Sequence, residues 1–513
     1  MANAGSHRFS RRGLIRAGGA SAAGLTALGA TGCSPFGDSS TSSSGGGTAD
    51  RMNVLLIVTD STRRDFVSAY AGADTLARTP NIDALAREGL RFDHAVPEAM
   101  PTVPVRRALL TGVRSYPFRD WQATEQLPPF PGWNPIPESR RVFPEMMRDA
   151  GVETAYVTDN PFLIGPRFAD FRSTLDISKP IYLQGEYRVW NQLLGKDELA
   201  SDRQIARYLL PGLKDTEAER RLREHEFVNQ GLDPDQLSGA RVARSGIAML
   251  DTLKDRQPFF LGVDAFDPHE AFDPPEAYKR RFGAAAGIEP ILPFTTPFAR
   301  IDEIDVTDAQ VERVRELYAA ELTWMDAWLG RLLNKLDDLG LAERTVVHYM
   351  SDHGIVLGEK GILGKANSSL GSEVHRIPYM IRHPEGRRAG ESTGYFASTH
   401  DVAPTLLSLQ GIASPGAMDG EDLSVLFDGK EPPARDIWTT AYADFVAAGD
   451  GRYVLIADNQ GKSRQLYDRR TDPAEENDVA QGNRDVVDRL WGAVVAQAGG
   501  TMPVFSKTGV VSG

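Results

Sequence analysis

The sequence predicts an α/β fold with buried parallel strands at its centre, and three observations carry that expectation. Three continuous apolar, β-branched runs, Met52–Asp60, Pro258–Asp264 and Thr345–Gly354, read as strands buried on both faces, as in parallel sheets. Stretches of helical period separate them. The first run ends at a carboxylate, Asp60, and ligands gather at the carboxyl ends of strands in open α/β sheets.

The first fifty residues stand apart from that sheet. Ser10-Arg11-Arg12-Gly13-Leu14-Ile15-Arg16 carries a twin arginine, and an Ala/Gly-rich, mildly apolar run follows to Gly32, as in a twin-arginine export signal. The run closes on Ala30-Thr31-Gly32-Cys33, similar to a lipoprotein processing site with alanine in place of the usual leucine. Cys33 would then be the lipidated first residue of an exported protein, held at the cell envelope by lipid or released outside. The Ser/Gly/Thr tract from Ser39 to Gly47 has nothing to pack and reads as a flexible tether.

Cys33 is the only cysteine. A mature exported domain therefore has no internal disulfide and must be stabilised by a large core, which a chain of this length can build. No thiol is left to act as nucleophile or metal ligand. Charged residues make up 25% of the chain and the formal net charge is -13, which gives no reason to expect nucleic acid as a partner. No apolar run after Cys33 is long enough to span a bilayer.

In chain order, the first strand delivers Asp60, which is either a site carboxylate or part of a helix-capping cluster with Ser61 and Thr62. Thr79–Gly89 is a Pro-started, Gly-stopped packing helix. Met100–Gly112 follows, with Thr102 a plausible cap, Pro104 in the first turn, Arg106 and Arg107 close behind and Gly112 as the stop. A hydroxyl at a positive helix end beside two guanidinium groups is suited to holding an anion. Phe143–Gly151 and Thr154–Thr158 add a helix and a strand, whereas Asn160–Trp190 has no clean period and reads as a long functional loop or lid. The charged region Leu213–Asp255 becomes helical where Val242, Ile247, Leu250 and Leu253 recur. After the second buried strand, His269 lies on a Pro-held loop with no pattern to explain it as core. Ala309–Leu339 is a core helix and implies no cofactor. The third buried strand delivers Asp352 and His353, hard oxygen and imidazole donors of the kind a divalent cation needs. A Gly-rich continuation then brings Lys365 back over the same edge. His348, His375 and His400 read as structural, with His400 the one to test for a second metal.

These pieces together resemble the sulfatase branch of the alkaline phosphatase superfamily. The resemblance runs from Asn53 to about Ala480 through Asp60, Pro104 and Arg106 with Leu109–Gly112, Pro268-His269, Ser351–Gly354, Leu357–Glu359, Lys365, Asp401–Leu407, Leu466–Asp468 and Asp472-Pro473. It implies a large mixed, mostly parallel sheet sandwiched by helices, then a smaller C-terminal antiparallel sheet, for which Tyr453–Ile456, Leu466-Tyr467 and a final helix near Val486–Ala498 are suitable. The implied organisation is a signal over 1–33, a tether over 34–51, a sulfatase-like catalytic domain over 52–430 and a C-terminal subdomain over 431–513. Asp60, Asp352 and His353 would hold a divalent metal (Ca, Mn or Mg, with Zn admissible), and Thr102 would join them. Thr102 would stand where sulfatases place the cysteine that becomes formylglycine. Arg106 would steady the nucleophile and the anion, and His269 and Lys365 would contact the ester oxygens or protonate the leaving group.

Three departures from the family pattern bear on substrate. Ser61 stands where a second aspartate is usual, Asp159 and Asn160 replace a Lys and a His of arylsulfatases, and the nucleophile position is threonine. A formylglycine hydrate attacks with one hydroxyl and expels sulfate through the other. Threonine has no second hydroxyl on its β-carbon, so its covalent intermediate must be released by a second in-line attack on the transferred group, as for phosphoryl groups. The sequence thus favours a phosphodiester, phosphate or phosphonate ester. A sulfatase working without formylglycine and a non-catalytic anion- or glycan-binding homologue are the alternatives. The partner would be an anionic ester of the cell envelope or extracellular glycans or lipids.

Overall fold

The structure is a computed structural model that describes residues 51–512 except 182–198, 230, 284–286, 292–298, 367, 369, 415 and 417. The export signal, Cys33 and the tether up to residue 50 lie outside the described residues, as does the last part of the expected lid.

Eight strands form the main sheet. They are β1 (Asn53–Thr59), β2 (Leu90–Phe92), β3 (Glu153–Thr158), β4 (Ile177–Pro180), β5 (Phe259–Ala265), β6 (Thr345–Ser351), β7 (Tyr379–Arg382) and β8 (Ser392–Thr393). Their spatial order is β8-β2-β7-β6-β1-β5-β3-β4. The run β6-β1-β5-β3-β4 is parallel throughout, and β7 is antiparallel to both of its neighbours. The mixed, mostly parallel sheet expected from the sequence is therefore present.

Alternation along β1 explains its unbroken apolar run. Val54, Leu56 and Val58 enter one core with Leu109, Phe143 and Leu406, while Leu55 and Ile57 enter another with Leu85, Leu250 and Leu332. Helices consequently cover both faces. The first layer holds α2 (Thr102–Thr111), α3 (Phe143–Asp149) and α6 (Val402–Leu409); the second holds α1 (Pro80–Glu88), α4 (Ser238–Leu253) and α5 (Asp308–Asp338). No helix among the described residues is long and apolar enough to cross a membrane.

A second, antiparallel sheet contains β9 (Trp438–Tyr442), β10 (Phe445–Gly449), β11 (Tyr453–Asp458) and β12 (Arg464–Asp468) in sequential order. The last helix, α7 (Arg484–Gln497), seals it by packing Leu490 and Val494 against Val446, Leu455 and Leu466.

One expectation needs correction. Part of Asn160–Trp190 is built rather than looped, with short helices at Pro161–Ile164 and Ala169–Ser173 and β4 paired in parallel to β3. Elements of four or five residues are too short to impose a readable period.

Candidate active site

Three adjacent strands set the site. Thr59 of β1 is in register with Ala265 of β5 and Ser351 of β6. The pairing runs one residue further, because the Asp60 N–H donates to the Ala265 carbonyl (3.1 Å) and the Asp352 N–H to the Thr59 carbonyl (3.2 Å). Asp60, Asp264 and Asp352 are thereby gathered in the interior, each fully buried.

One guanidinium joins them. Arg106 donates from Nε to Asp264 Oδ2 (3.2 Å), from Nη2 to Asp264 Oδ1 (2.8 Å), and from Nη1 to Asp60 Oδ2 (3.4 Å) and to Asp352. Three carboxylates around its charge hold Arg106 protonated against the penalty of burial. Tyr156 completes the shell by donating to Asp264 Oδ2 at 2.9 Å. It fits because residue 262 is glycine: a Cβ there would lie 2.3 Å from the Tyr156 ring.

Thr102 opens α2 as its first residue, so it is not the cap; Pro101 takes that position and offers no side-chain bond. The Thr102 hydroxyl instead donates to Asp60 Oδ2 at 3.3 Å. Gly112 stops the helix as expected, at φ 68°. The two arginines part company: Arg106 faces the carboxylates, whereas Arg107 bonds Asn134 (2.9 Å) and Asp120 on another face of the helix.

Asp60, Asp352 and His353 bring ligand atoms within 4.8 Å of one another. His353 Nδ1 lies 2.8 Å from the Gly354 carbonyl, an arrangement that assigns Nδ1 the proton and leaves Nε2 its lone pair. That Nε2 is buried without a hydrogen-bond partner, 3.4 Å from Asp352 Oδ2 and 3.7 Å from Asp60 Oδ1. An orphaned imidazole nitrogen among carboxylate oxygens fits a divalent cation. Burial, reinforced by Lys365, lowers the His353 pKa to about 3, which keeps the ring in its ligand form. Burial pushes the Asp60 carboxyl up, but Lys365, His269, His353 and Arg106 together hold it well below the usual range. Burial likewise pushes Asp352 up and Arg106 pulls it down, with the Asp60 charge tipping the balance upward.

Ser61, in place of a second aspartate, donates from Oγ to Asp60 Oδ1 (2.8 Å) and from its N–H to Asp352 Oδ1 (2.9 Å). It replaces a ligand charge with two orienting hydrogen bonds. The capping alternative at Asp60–Thr62 is not taken up, since the short helix Arg64–Phe66 has no side-chain cap. Tyr318 of α5 pins this turn, accepting from the Arg63 N–H and donating to the Ser61 carbonyl.

The two remaining expected residues arrive on the same edge. Lys365 Nζ is 3.7 Å from Asp60 Oδ1. His269 stacks on Phe266 with ring centroids 4.0 Å apart, and its Nδ1 lies 3.0 Å from the Glu270 carbonyl and 3.2 Å from Glu270 Oε2. Burial lowers its pKa below the ordinary 6.5. Glu270 also reaches Lys365, at 3.6 Å, and so lies between the imidazole and the ammonium group. Sequence reasoning passed over Glu270, Asp264 and Tyr156 as site residues. The strand-end rule that selected Asp60 could have selected Asp264; nothing marked Glu270 or Tyr156.

Asp159 and Asn160 have structural duties. Asp159 accepts from the Phe266 N–H (2.7 Å) and the Ser238 hydroxyl, while Asn160 Oδ1 caps the short helix at Phe162 (3.1 Å). His348 and His375 are buried away from the cluster, and His400 belongs to neither group of potential metal ligands among the described residues. The second such group, His225, Glu226 and Asp273, is crossed by a Lys279–Asp273 ion pair.

Comparison with known proteins adds the following. The family model described as Sulfatase matches residues 52–412, and that of the N-sulphoglucosamine sulphohydrolase C-terminal region matches 358–496. The multifunctional alkaline phosphatase superfamily protein PehA of Trinickia caryophylli is 27% identical over 419 residues, covering 73% of this chain and 76% of its own. The ulvan-active sulfatase of Formosa agariphila is 25% identical over 447 residues, covering 84% and 77%. Among solved structures, the phosphonate monoester hydrolase of Agrobacterium radiobacter superposes with a TM-score of 0.67 at 22% identity, over 90% of this chain and 99% of that one.

Proposed function

The chain belongs to the sulfatase family and is an ester hydrolase, and on that premise we propose that Thr102 is its nucleophile and that a phosphodiester, phosphate or phosphonate ester is its preferred substrate. The observation that carries this reading is the threonine itself, whose single β-hydroxyl lies 3.3 Å from Asp60 Oδ2 at the edge of a metal-ligand cluster.

A divalent cation held by Asp60, Asp352, His353 and Thr102 would lower the hydroxyl's pKa and polarise the ester's non-bridging oxygens. The chain's own groups do the rest. Asp60 accepts the Thr102 proton's hydrogen bond and aims the oxygen. Arg106, saturated by carboxylates, fixes the array. The Thr102 oxygen passes its proton along the hydrogen bond to Asp60 and forms a bond to phosphorus as the bond to the leaving alcohol's oxygen breaks, with His269 or Lys365 supplying a proton to that oxygen. Water then attacks phosphorus in line, returning a proton to His269 or Lys365, and the Thr102 oxygen leaves with the proton held at Asp60. The same two steps at sulfur would require water to displace threonine from a hindered sulfate ester, which formylglycine enzymes avoid.

Likeness to a multifunctional superfamily member supports a substrate range beyond sulfate, whereas likeness to the ulvan-active sulfatase favours the second reading, sulfate-ester hydrolysis without formylglycine. The test is metal-loaded protein (Mn, Ca, Mg or Zn) against matched aryl sulfate, phosphate monoester, phosphodiester and phosphonate ester. A phosphorus ester should turn over fastest, and Thr102→Ala should abolish turnover with the fold intact by circular dichroism. Unchanged activity in Thr102→Ala would remove the nucleophile, and dominant sulfate release would establish the second reading.

A further inference from the structure

Arg107 points away from the reaction centre, and the place it points to is itself built for an anion. The C-terminal end of α2 borders a cavity of about 410 Å³ lined by Arg107, Arg114, Arg119 and Arg140 against a single carboxylate, Asp120. That volume is in the range of small-molecule sites. Asp120 is already ion-paired with Arg107, so its charge is spent within the wall. Arg107 is 7% exposed and its Nε has no hydrogen-bond partner. Arg114 is tied only weakly, through Nη1 to Thr439 Oγ1 at 3.4 Å. Burial lowers its pKa, Arg435 adds to that, and Glu98, Asp401 and Asp419 offset it only in part, so the guanidinium would gain from a further negative charge. Arg140 is exposed at the rim.

The charge around this wall is only partly offset from behind, where Glu98, Asp401 and Asp419 act on Arg114. Glu98 lies under the floor, where it accepts from the Ser115 and Tyr116 N–H groups, and burial raises its pKa to about 7. The negative end of α2 is blunted, since the Gly112 carbonyl accepts from the Asp419 and Gly420 N–H groups at 2.9 and 3.1 Å. Ser139 offers a hydroxyl, while Val113, Pro117 and Ile136 offer apolar surface. A cationic wall with both kinds of contact suits an ester better than a bare ion.

We propose that this cavity is a second anion site, separate from the reaction centre, which takes a sulfate or phosphate group carried on a sugar-sized body. It does not depend on which ester the reaction centre cleaves, because its lining includes neither Thr102 nor Asp60, Asp352 or His353.

Calorimetric titration of the metal-loaded protein tests it, with glucose 6-sulfate and glucose 6-phosphate as probes and inorganic sulfate, inorganic phosphate and glucose as the arms that separate sources. Arg140→Glu is the primary variant because the side chain is exposed. Arg119→Gln is the second, its fold checked by circular dichroism because Arg119 also bonds Ala498 and Thr501. The expected result is saturable binding of the sugar esters, weakened about tenfold or more in either variant, with kcat and KM for a small aryl ester unchanged. Equal affinity for the inorganic ions would support the anion site and identify the free ion as its ligand. Equal affinity for glucose, or wild-type affinity in Arg140→Glu, would overturn the proposal.

Discussion

Replacing Asp264 with asparagine removes the charge that faces Arg106 from β5. Asp264 accepts three hydrogen bonds, two from Arg106 at 2.8 and 3.2 Å and one from Tyr156 at 2.9 Å, and both ion-pair partners are 0% exposed. Removing one partner of a buried ion pair costs ~3–5 kcal/mol, because the other charge is left short of compensation in a dry place. Arg106 keeps Asp60 and Asp352, so the expected loss is at the lower end, about 3 kcal/mol. Tyr156→Phe deletes one hydrogen bond and leaves the ion pair, at about 1 kcal/mol. Urea unfolding measures both as midpoint shifts at unchanged slope. Because Asp264 positions Arg106 and contacts no ester, Asp264→Asn should lower kcat and leave KM nearly unchanged. Equal losses in the two variants, or less than about 1 kcal/mol in Asp264→Asn, would refute the claim that charge compensation holds this site together.

Two further outcomes follow from the same neighbourhood and its base. Gly262→Ala places a methyl 2.3 Å from the Tyr156 ring, so it should destabilise by ~1–3 kcal/mol and lower kcat by displacing Tyr156 from Asp264, whereas a silent substitution would show that the ring has room to move. Burial raises the Glu98 pKa from 4.5 to about 7, so between those values the native state keeps a proton that the unfolded chain has released. Stability should therefore fall as pH rises through that window, by on the order of 3 kcal/mol when complete. The stability difference between wild type and Glu98→Gln, measured by urea unfolding from pH 4 to 8, should change across the window; a constant difference would contradict the shift.

The frame was legible because long elements repeat their signal. The buried strands, the packing helix after Thr79 and the long helix after Ala309 each run several periods, and all three appear where expected. The short pieces after Asn160 had no room for a period. At the site, Asp60, Asp352 and His353 were readable from their place at strand ends, and Thr102, Arg106, His269 and Lys365 converge with them in space. What sequence could not supply was direction. Arg106 and Arg107 are adjacent and chemically equal, and only the helix phase sends one to the carboxylates and the other outward. Glu270 was hidden for a similar reason, since the path of the loop decides which side chains a glutamate meets.

The in-register ending of β5, β1 and β6 also bears on how this scaffold can be altered. The spacing between the carboxylates is fixed by main-chain pairing about 4.8 Å apart, upstream of every loop that leaves the sheet edge. Grafting or shortening those loops should thus reshape what the protein accepts while the ligand array keeps its geometry. A single-residue insertion within β6 is the opposite kind of edit. It would carry Asp352 one step along the strand and turn its side chain to the other face, disabling the centre without touching any residue that performs chemistry.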